Sequence, residues 1–269
     1  MSAITLTSTT VNTTARKRFK VRHALVLAKR SMIKMIRTPE QFIDVTLQPI
    51  IFLGLFTYIF GGALAGGSQH SYLEFLLPGM LGQTIAMSSV AIGQNMNADI
   101  AKGIFDRFRS LPIGRAVPLI GAVLADLSRY LIVCVVTLSF GYIIGFRIAT
   151  DPLKMLAALG LAICFALSFA WVSVFVGMTV RSAGAVQGIM FAFIFPLSFG
   201  SNTFVKPSTM PGWLQAFVSV NPLSHLVSAV RGLMLGGPVG AQVGWTFAWC
   251  AGLLVVFFPL AMRAYIRRA

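Results

Sequence analysis

Six long apolar stretches constrain this chain more than any other feature of its sequence. They cover about 45–65, 75–96, 116–146, 155–180, 183–204 and 243–262. A helix needs about 20 mostly apolar residues to cross the hydrocarbon core of a bilayer, and each stretch reaches that length. Only 11% of the residues are charged, whereas a soluble domain has about 25%. The sequence therefore predicts an all-α integral membrane protein with six transmembrane helices, and it excludes a soluble domain and a disordered chain.

The segment between the fifth and sixth stretches has a different character. It is apolar enough to enter a membrane, but Pro211, Pro222 and Pro238 interrupt it. Irregular backbone is tolerated at membrane depth only where protein or water surrounds it. We expect two short helices around Pro222 that dip into the membrane and return, which makes an outer re-entrant hairpin.

The basic residues predict the direction in which the chain crosses the membrane. Of the 22 Lys and Arg residues, seventeen fall on the side of the N-terminus, four fall on the other side, and Arg129 lies within the third stretch. Cytoplasmic loops of membrane proteins carry the excess of positive charge. Both termini are therefore expected in the cytoplasm, with the protein in the cell membrane. Nucleic acid is not expected as a partner, because the basic residues flank apolar stretches.

The N-terminal part is predicted to lie outside the transmembrane domain. Residues 1–15 are rich in Ser and Thr and are expected to form a disordered cytoplasmic tail. Residues 16–38 combine nine basic side chains with one apolar face, which is typical of an amphipathic helix on the inner membrane surface. The transmembrane domain then occupies 39–269.

Sequence motifs argue against an enzyme. None of the lysines is followed by Ser or Thr, so the phosphate-binding loop GxxxxGK[ST] is absent. The three histidines are scattered, and neither HExxH nor GxSxG occurs. Cys134, Cys164 and Cys250 lie in apolar stretches and are expected to pack there. We predict no catalytic residues, no metal site and no directly bound cofactor.

Two groups of residues are candidates for function. The loop 97–115 interleaves apolar and charged side chains, which favours a docking surface for a protein, with a solvated positive loop as the alternative. Polar side chains inside the stretches indicate either a substrate path or hydrogen bonds between packed helices. The intramembrane candidates are Gln83, Gln94, Asn95, Asp126, Arg129 and Asn202. Asp126 and Arg129 share a helical face, and their pairing would reduce the cost of burying each charge.

Three stretches resemble a known family. They are RTPEQFIDVTLQPIIFLGLFTYIFGGA (37–63), KGIFDRFRSLPIGRAVPLIGAVLADLSRY (102–130) and FPLSFGSNTFVKPSTMPGWLQAFVSVNPLSHLVSAVRGLMLGGP (195–238). The chain resembles the membrane subunits of ABC-2-type exporters, most closely the daunorubicin/doxorubicin-resistance permeases. The resemblance implies a permease that exports an amphipathic hydrophobic drug or antibiotic, while a separate cytoplasmic ATPase subunit binds ATP and Mg. Two permease chains, identical or paralogous, would assemble with two ATPase chains.

The resemblance also assigns roles to residues. The loop between the second and third spans would couple the permease to the ATPase. Its residues are Asp99, Lys102, Gly103, Phe105, Asp106, Arg107, Phe108 and Arg109. Pro211, Trp213, Asn221, Pro222 and Arg231 would fix the outer gate. The broader family often has acidic residues where this chain has Lys102-Gly-Ile-Phe.

Alternatives remain open from the sequence alone. One is an exporter of the same fold that moves a lipid, a polysaccharide or a teichoic polymer. Another is a membrane immunity or assembly protein that transports nothing itself. The third is an intramembrane enzyme, which is poorly supported because Asp126 is the only acidic residue well inside a predicted span.

Overall fold

The computed structural model describes residues 39–64, 68–103 and 117–268. Within these ranges the regular secondary structure is entirely helical, which confirms the predicted all-α fold. The helices are α1 (Pro39–Leu64), α2 (Gln69–Ser88), α3 (Val90–Ala101), α4 (Val117–Ala125), α5 (Leu127–Ile143), α6 (Pro152–Thr179), α7 (Ala183–Phe199), α8 (Gly212–Val220), α9 (Pro222–Leu235) and α10 (Gly240–Arg268). The predicted N-terminal tail, the interfacial helix and the loop residues Phe105, Asp106, Arg107, Phe108 and Arg109 lie outside the described ranges.

Four helical stretches in the described ranges are long and apolar enough to cross a membrane. They are Gln69–Ala101, Leu119–Ile143, Pro152–Thr179 and Gly240–Arg267. Two more helical stretches are apolar but shorter, Thr46–Gly62 and Ala183–Phe199. A multi-pass membrane protein follows from these lengths. The number of six spans stays a prediction.

The second and third predicted stretches are each built from two helices. The first break falls at Ser89, between α2 and α3. There the hydroxyl of Ser88 donates to the carbonyl of Thr84 at 2.8 Å, and the hydroxyl of Ser89 donates to that of Ile85 at 3.3 Å. Serine hydroxyls that bond back to their own helix in this way bend it. The second break falls at Asp126, between α4 and α5.

The helix of the fifth predicted stretch, α7, ends at Phe199, five residues before the predicted boundary at 204. The side-chain amide of Asn221 explains this end, because it donates to the carbonyls of Leu197 and Gly200 at 2.7 Å each. These carbonyls are thereby bonded outside the helix ladder. Beyond them the predicted pair of short helices is found as α8 and α9, which meet at Asn221. Their depth in the membrane stays a prediction.

The helices α3 and α6 cross with their backbones nearly in contact. A Cβ atom added at Gly177 would lie 2.3 Å from the carbonyl oxygen of Gly93, so neither position has room for a side chain. The amide of Asn97 donates to the carbonyls of Gly177 at 3.1 Å and Val180 at 2.7 Å. Small residues and interhelical amide bonds of this kind hold membrane helices together. The backbones of the two helices are therefore in direct contact at this crossing.

The contacts also define the two ends of the bundle. At one end, which we call the α3 end, Asn97 meets Val180 at the end of α6. At the other, which we call the α9 end, the backbone amide of Ala149 donates to the carbonyl of Met234 and the hydroxyl of Tyr72 donates to the carbonyl of Phe204. The loop that begins at Lys102 therefore leaves the α3 end.

Candidate functional site: a polar cavity in the bundle

A cavity of about 170 Å³ lies beside the break between α2 and α3. Five helices contribute to its wall: α1, α2, α3, α5 and α7. The lining residues are Gln48, Pro49, Thr84, Met87, Ser88, Val90, Ala91, Gln94, Arg129, Val133, Gln187 and Phe191. Half of these side chains are polar, although every helix that carries them is predominantly apolar. We call this space the polar cavity.

Arg129 supplies the positive charge of the polar cavity. Its residue surface is 7% exposed, and it lies in the middle third of the stretch Leu119–Ile143. The Nε atom lies 3.3 Å from Oδ1 of Asp126 and makes no hydrogen bond with good geometry to any described residue. A buried charge is costly unless it is paired and hydrogen-bonded. The guanidinium therefore has unused donors at the edge of an open space.

Asp126 is the acidic partner of Arg129. Its residue surface is also 7% exposed, it does not line the cavity, and its Oδ2 atom has no hydrogen-bond partner among the described residues. The two charges cancel, but the two residues are placed differently. Arg129 lines the cavity, whereas Asp126 is buried and does not line it.

The amide side chains complete the polar wall. The Nε2 atom of Gln94 donates to Oε1 of Gln187 at 3.3 Å, which joins α3 to α7. The hydroxyls of Thr84 and Ser88 donate to carbonyls of their own helix. Gln187 is exposed, so the cavity is open toward the outside of the bundle on this side. A molecule in the surrounding bilayer would meet the cavity there.

A second cavity of about 190 Å³ lies toward the α9 end and is mainly aromatic. Its wall consists of Phe56, Phe60, Tyr72, Phe199, Ser201, Phe204, Val205 and Met210. A row of rings joins it to Phe191 in the wall of the polar cavity. Successive centroids along Phe191, Phe195, Phe199, Phe204 and Phe56 are 5.8, 5.7, 5.3 and 4.7 Å apart. We call this space the aromatic cavity.

Polar side chains at the α9 end form a third group, which we call the α9 clasp: Asn202, Asn221, Ser228 and Arg231. Arg231 donates from Nε and Nη2 to the carbonyl of Phe75, at 3.2 and 2.9 Å, and from Nη2 to the carbonyl of Asn202 at 2.9 Å. Its Cζ atom also lies 3.8 Å from the ring centroid of Phe75. The amide of Asn202 donates to Ser228 at 2.6 Å. The clasp therefore ties α2, the end of α7 and α9 together.

The sequence candidates separate into different places. The structure brings Gln94 and Arg129 together at the polar cavity, with Asp126 behind them. Asn202 joins the clasp with Asn221 and Arg231. Pro211 and Trp213 lie at the start of α8 and are exposed. Gln83 is buried with Oε1 unpartnered among the described residues, and neither Gln83 nor Asn95 lines the cavity. Asp99 lies in the last turn of α3, which ends at Ala101, and Lys102 and Gly103 follow it.

Several lining residues did not stand out as site residues in the sequence. Gln48, Gln187, Thr84 and Ser88 come from three different helices, and each is an isolated polar residue in an apolar stretch. Such residues are more often part of helix packing. The signal that could have found them is that each is an uncharged polar residue within an apolar stretch, but only the three-dimensional arrangement shows that they share one wall.

Comparison with known proteins gives a consistent result. The sequence pattern of the family described as ABC-2 type transporter matches residues 22–235. The daunorubicin resistance ABC transporter permease protein DrrB1 of Streptomyces coeruleorubidus is 42% identical over 236 residues, 88% of this chain and 83% of the relative. The probable doxorubicin resistance ABC transporter permease protein DrrC of Mycobacterium tuberculosis is 26% identical over 91% of this chain and 89% of its own length. The putative transport permease ycf38 of Cyanophora paradoxa is 24% identical over 79% and 74%.

Proposed function

This chain belongs to the ABC-2 type transporter family, and from that premise we propose that it exports an amphipathic, hydrophobic compound as the permease subunit of an ATP-driven transporter. A drug or antibiotic is the substrate class, in line with relatives that are named for daunorubicin and doxorubicin resistance. ATP and Mg bind to a separate cytoplasmic ABC ATPase. The permease itself is not an enzyme.

The polar cavity is the observation that carries this proposal. A span that only anchors a protein has no need for a buried arginine beside an open space, and intramembrane ionisable residues commonly mark substrate pathways. The opening at Gln187 suits a substrate that enters sideways from the inner leaflet. The row of phenylalanine rings then offers apolar contact along the way to the aromatic cavity. An amphipathic compound has polar groups that suit the polar cavity and apolar parts that suit the phenylalanine rings and the aromatic cavity.

The topology that this function requires has six spans with both termini in the cytoplasm. The two shorter apolar stretches are 17 residues long when counted as Thr46–Gly62 and Ala183–Phe199, which is at the lower limit of about 17–25 residues for a span. The distribution of basic residues puts the α3 end on the cytoplasmic side. The loop that starts at Lys102 then faces the ATPase, and α8 and α9 form the outer re-entrant hairpin.

The rigid contact between α3 and α6 supplies a route for the movement. The loop follows α3 directly, so a displacement of the loop by the ATPase moves α3. Because Gly93 and Gly177 leave no space between the backbones, α6 moves with it. The break at Ser89 lets α3 rotate while α2 stays fixed to the α9 clasp. The polar cavity lies at that break, so its shape changes with the rotation.

Energy from ATP changes the relative stability of an inward-facing and an outward-facing state. A ligand shifts such an equilibrium only by its difference in affinity for the two states. We propose that two permease chains and two ATPase chains form the transporter, with the path between the two permeases. The α9 clasp holds the outer gate closed in the inward-facing state, and release to the outside follows when that gate opens in the outward-facing state.

The test is reconstitution of this chain with its cognate ATPase in proteoliposomes. We expect the two proteins to copurify, and we expect ATP-dependent accumulation of an amphipathic aromatic compound. The control is the same complex with the lysine of the phosphate-binding loop of the ATPase replaced, which abolishes ATP use. The proposal fails if the chain neither binds the ATPase nor supports transport. Transport of a polysaccharide or lipid alone would replace the proposed substrate class.

A further inference from the structure

The charges around the polar cavity are arranged to favour one kind of ligand. Arg129 lines the cavity, and no Asp or Glu among the described residues does so. The acid nearest to it, Asp126, lies with Oδ1 3.3 Å from Nε of Arg129 and is not among the lining residues. A ligand in the cavity therefore meets a cation first. The field there favours a negative or electron-rich group and disfavours a second cation.

The hydrogen-bond inventory points in the same direction. A guanidinium has five N–H donors and no acceptor, and the Nε atom of Arg129 has no well-formed hydrogen bond to any described residue, although it lies 3.3 Å from Oδ1 of Asp126. Gln187 uses its carbonyl oxygen to accept from Gln94, so both of its amide N–H groups are left over. Thr84 and Ser88 have already donated their hydroxyl hydrogens to carbonyls of α2. Gln94 keeps its carbonyl oxygen as an acceptor, and the hydroxyl oxygens of Thr84 and Ser88 can also accept, but the charged group of the described wall, Arg129, is a donor.

The shape and lining add a second requirement. The remaining wall is apolar, with Met87, Val133 and Phe191 among its residues. Phe191 is the first ring of the row that leads to the aromatic cavity. A flat ring system that carries oxygen acceptors satisfies both surfaces, because its plane packs on the apolar wall and its oxygen atoms reach the donors.

We propose that the polar cavity binds the acceptor part of the substrate, a quinone, ketone or carboxylate group on a planar aromatic ring system, and that Arg129 selects it against a cationic amine. This inference rests on the proposed function, because it treats the cavity as the substrate site of the permease. It also restricts that function. Where the substrate has both an amine and a quinone, the quinone enters the cavity and the amine stays outside it.

Three matched probes test the selectivity: anthraquinone-2-carboxylate, 2-(hydroxymethyl)anthraquinone and 2-(aminomethyl)anthraquinone. They share one ring system and differ in charge. Binding is measured by equilibrium dialysis against the full-length chain in nanodiscs, and empty nanodiscs correct for partitioning into lipid. We expect the carboxylate to bind about tenfold more tightly than the amine, the size of one net hydrogen bond to a charged group, with the neutral alcohol between them.

Variants assign the selectivity to Arg129. The double substitution Asp126→Asn with Arg129→Gln removes both charges and leaves neither one buried alone. It should reduce the ratio between carboxylate and amine to less than about threefold, which is a loss of most of the charge-assisted bond. Asp126→Asn alone keeps the cation and removes the carboxylate that neutralises it, so it should increase the preference for the carboxylate probe. Arg147→Gln changes an exposed arginine that follows α5 and does not line the cavity; it is the matched control and should leave the ratio unchanged.

The outcomes separate this inference from the proposed function. Equal binding of the three probes, tighter binding of the amine, no binding at all, or an unchanged ratio in the double variant each overturn the selectivity. Export is measured independently, with the ATPase present. A complex that transports amphipathic compounds without discrimination supports the proposed function and contradicts this inference. Selective binding without transport supports the inference and contradicts the proposed function.

Discussion

Two arginines in the apolar part of this molecule have opposite surroundings. Arg231, in the α9 clasp, donates three hydrogen bonds to backbone carbonyls and stacks on the ring of Phe75. Arg129, in the polar cavity, is more deeply buried, pairs with Asp126 at 3.3 Å, and has its Nε atom without a hydrogen-bond partner among the described residues. A buried polar group that is fully bonded holds a structure together, whereas one that is left open is costly in the folded protein and available to a ligand. The comparison assigns stability to the clasp and binding to the cavity.

The neighbouring glycines repeat this contrast. In α2, a Cβ atom at Gly79 would lie 2.8 Å from the carbonyl oxygen of Thr203, so the clasp is packed backbone against backbone. In α7, a Cβ atom at Gly188, next to Gln187, would meet nothing within 4 Å. The packing at Gly79 leaves no spare space, whereas the face of α7 beside Gln187 is open; on the α3 side of the same cavity, Gly93 is packed tightly against α6. A site that must admit a substrate and change shape is expected on the looser side.

The largest effect on stability is expected for Arg231→Leu. The substitution removes three charged hydrogen bonds and leaves the carbonyls of Phe75 and Asn202 without that donor, at a cost of about 3 kcal/mol. Thermal unfolding of the purified permease in detergent measures it. The double variant Asp126→Asn with Arg129→Gln is the counterpart and should cost less than about 1 kcal/mol, because replacing both partners of a buried pair is often nearly neutral. Equal losses in the two variants would remove the distinction between the arginines.

The next effect compares the two glycines. Gly79→Ala forces α2 away from Thr203 and should destabilise the protein by about 2 kcal/mol, in the range for overpacking. Gly188→Ala enters open space within a helix and should be neutral or stabilising by up to about 1 kcal/mol. The same unfolding assay measures both. If Gly188→Ala proves as costly as Gly79→Ala, the cavity side is packed as tightly as the clasp and the argument from looseness is wrong.

The smallest effect on stability is expected at the cavity wall, where function should change instead. Gln94→Ala removes a hydrogen bond at a partly exposed position and should alter the free energy of unfolding by less than about 0.5 kcal/mol. It should weaken binding of anthraquinone-2-carboxylate about threefold, through the loss of one neutral hydrogen bond. Asn95→Ala is the matched control, because Asn95 does not line the cavity. Equal weakening by both substitutions would mean that the probe binds elsewhere.

The architecture was accessible from the sequence because length and hydropathy determine it. The apolar stretches, the interruption at Pro222 and the low content of charged residues predict a helical membrane protein, and the helices confirm that fold. The boundaries were less accessible. The end of α7 depends on Asn221, which lies beyond it in the chain, and the break at Ser89 depends on serine hydroxyls that bond back to α2. Such contacts leave no periodic signal.

The site was only partly predictable for a related reason. Asp126 and Arg129 are conspicuous because charges are rare in apolar stretches, and their shared face follows from helical spacing. Their unequal placement, with the cation toward the open space and the acid away from it, depends on how five helices meet. The same holds for Gln48 and Gln187, which are distant in sequence and line one wall. Asn202 was grouped with the intramembrane candidates, but its partners Ser228 and Arg231 place it in the clasp.

Photolabelling tests most directly whether the polar cavity holds the substrate. Irradiated anthraquinones abstract hydrogen atoms from neighbouring C–H groups and couple to them, so anthraquinone-2-carboxylate labels the residues that surround it. We predict adducts on Met87 and Val133, located by mass spectrometry of the complex with its ATPase, and their loss in the double variant Asp126→Asn with Arg129→Gln. Adducts confined to exposed residues of α10 such as Leu254 and Val255, unchanged in that variant, would contradict the account.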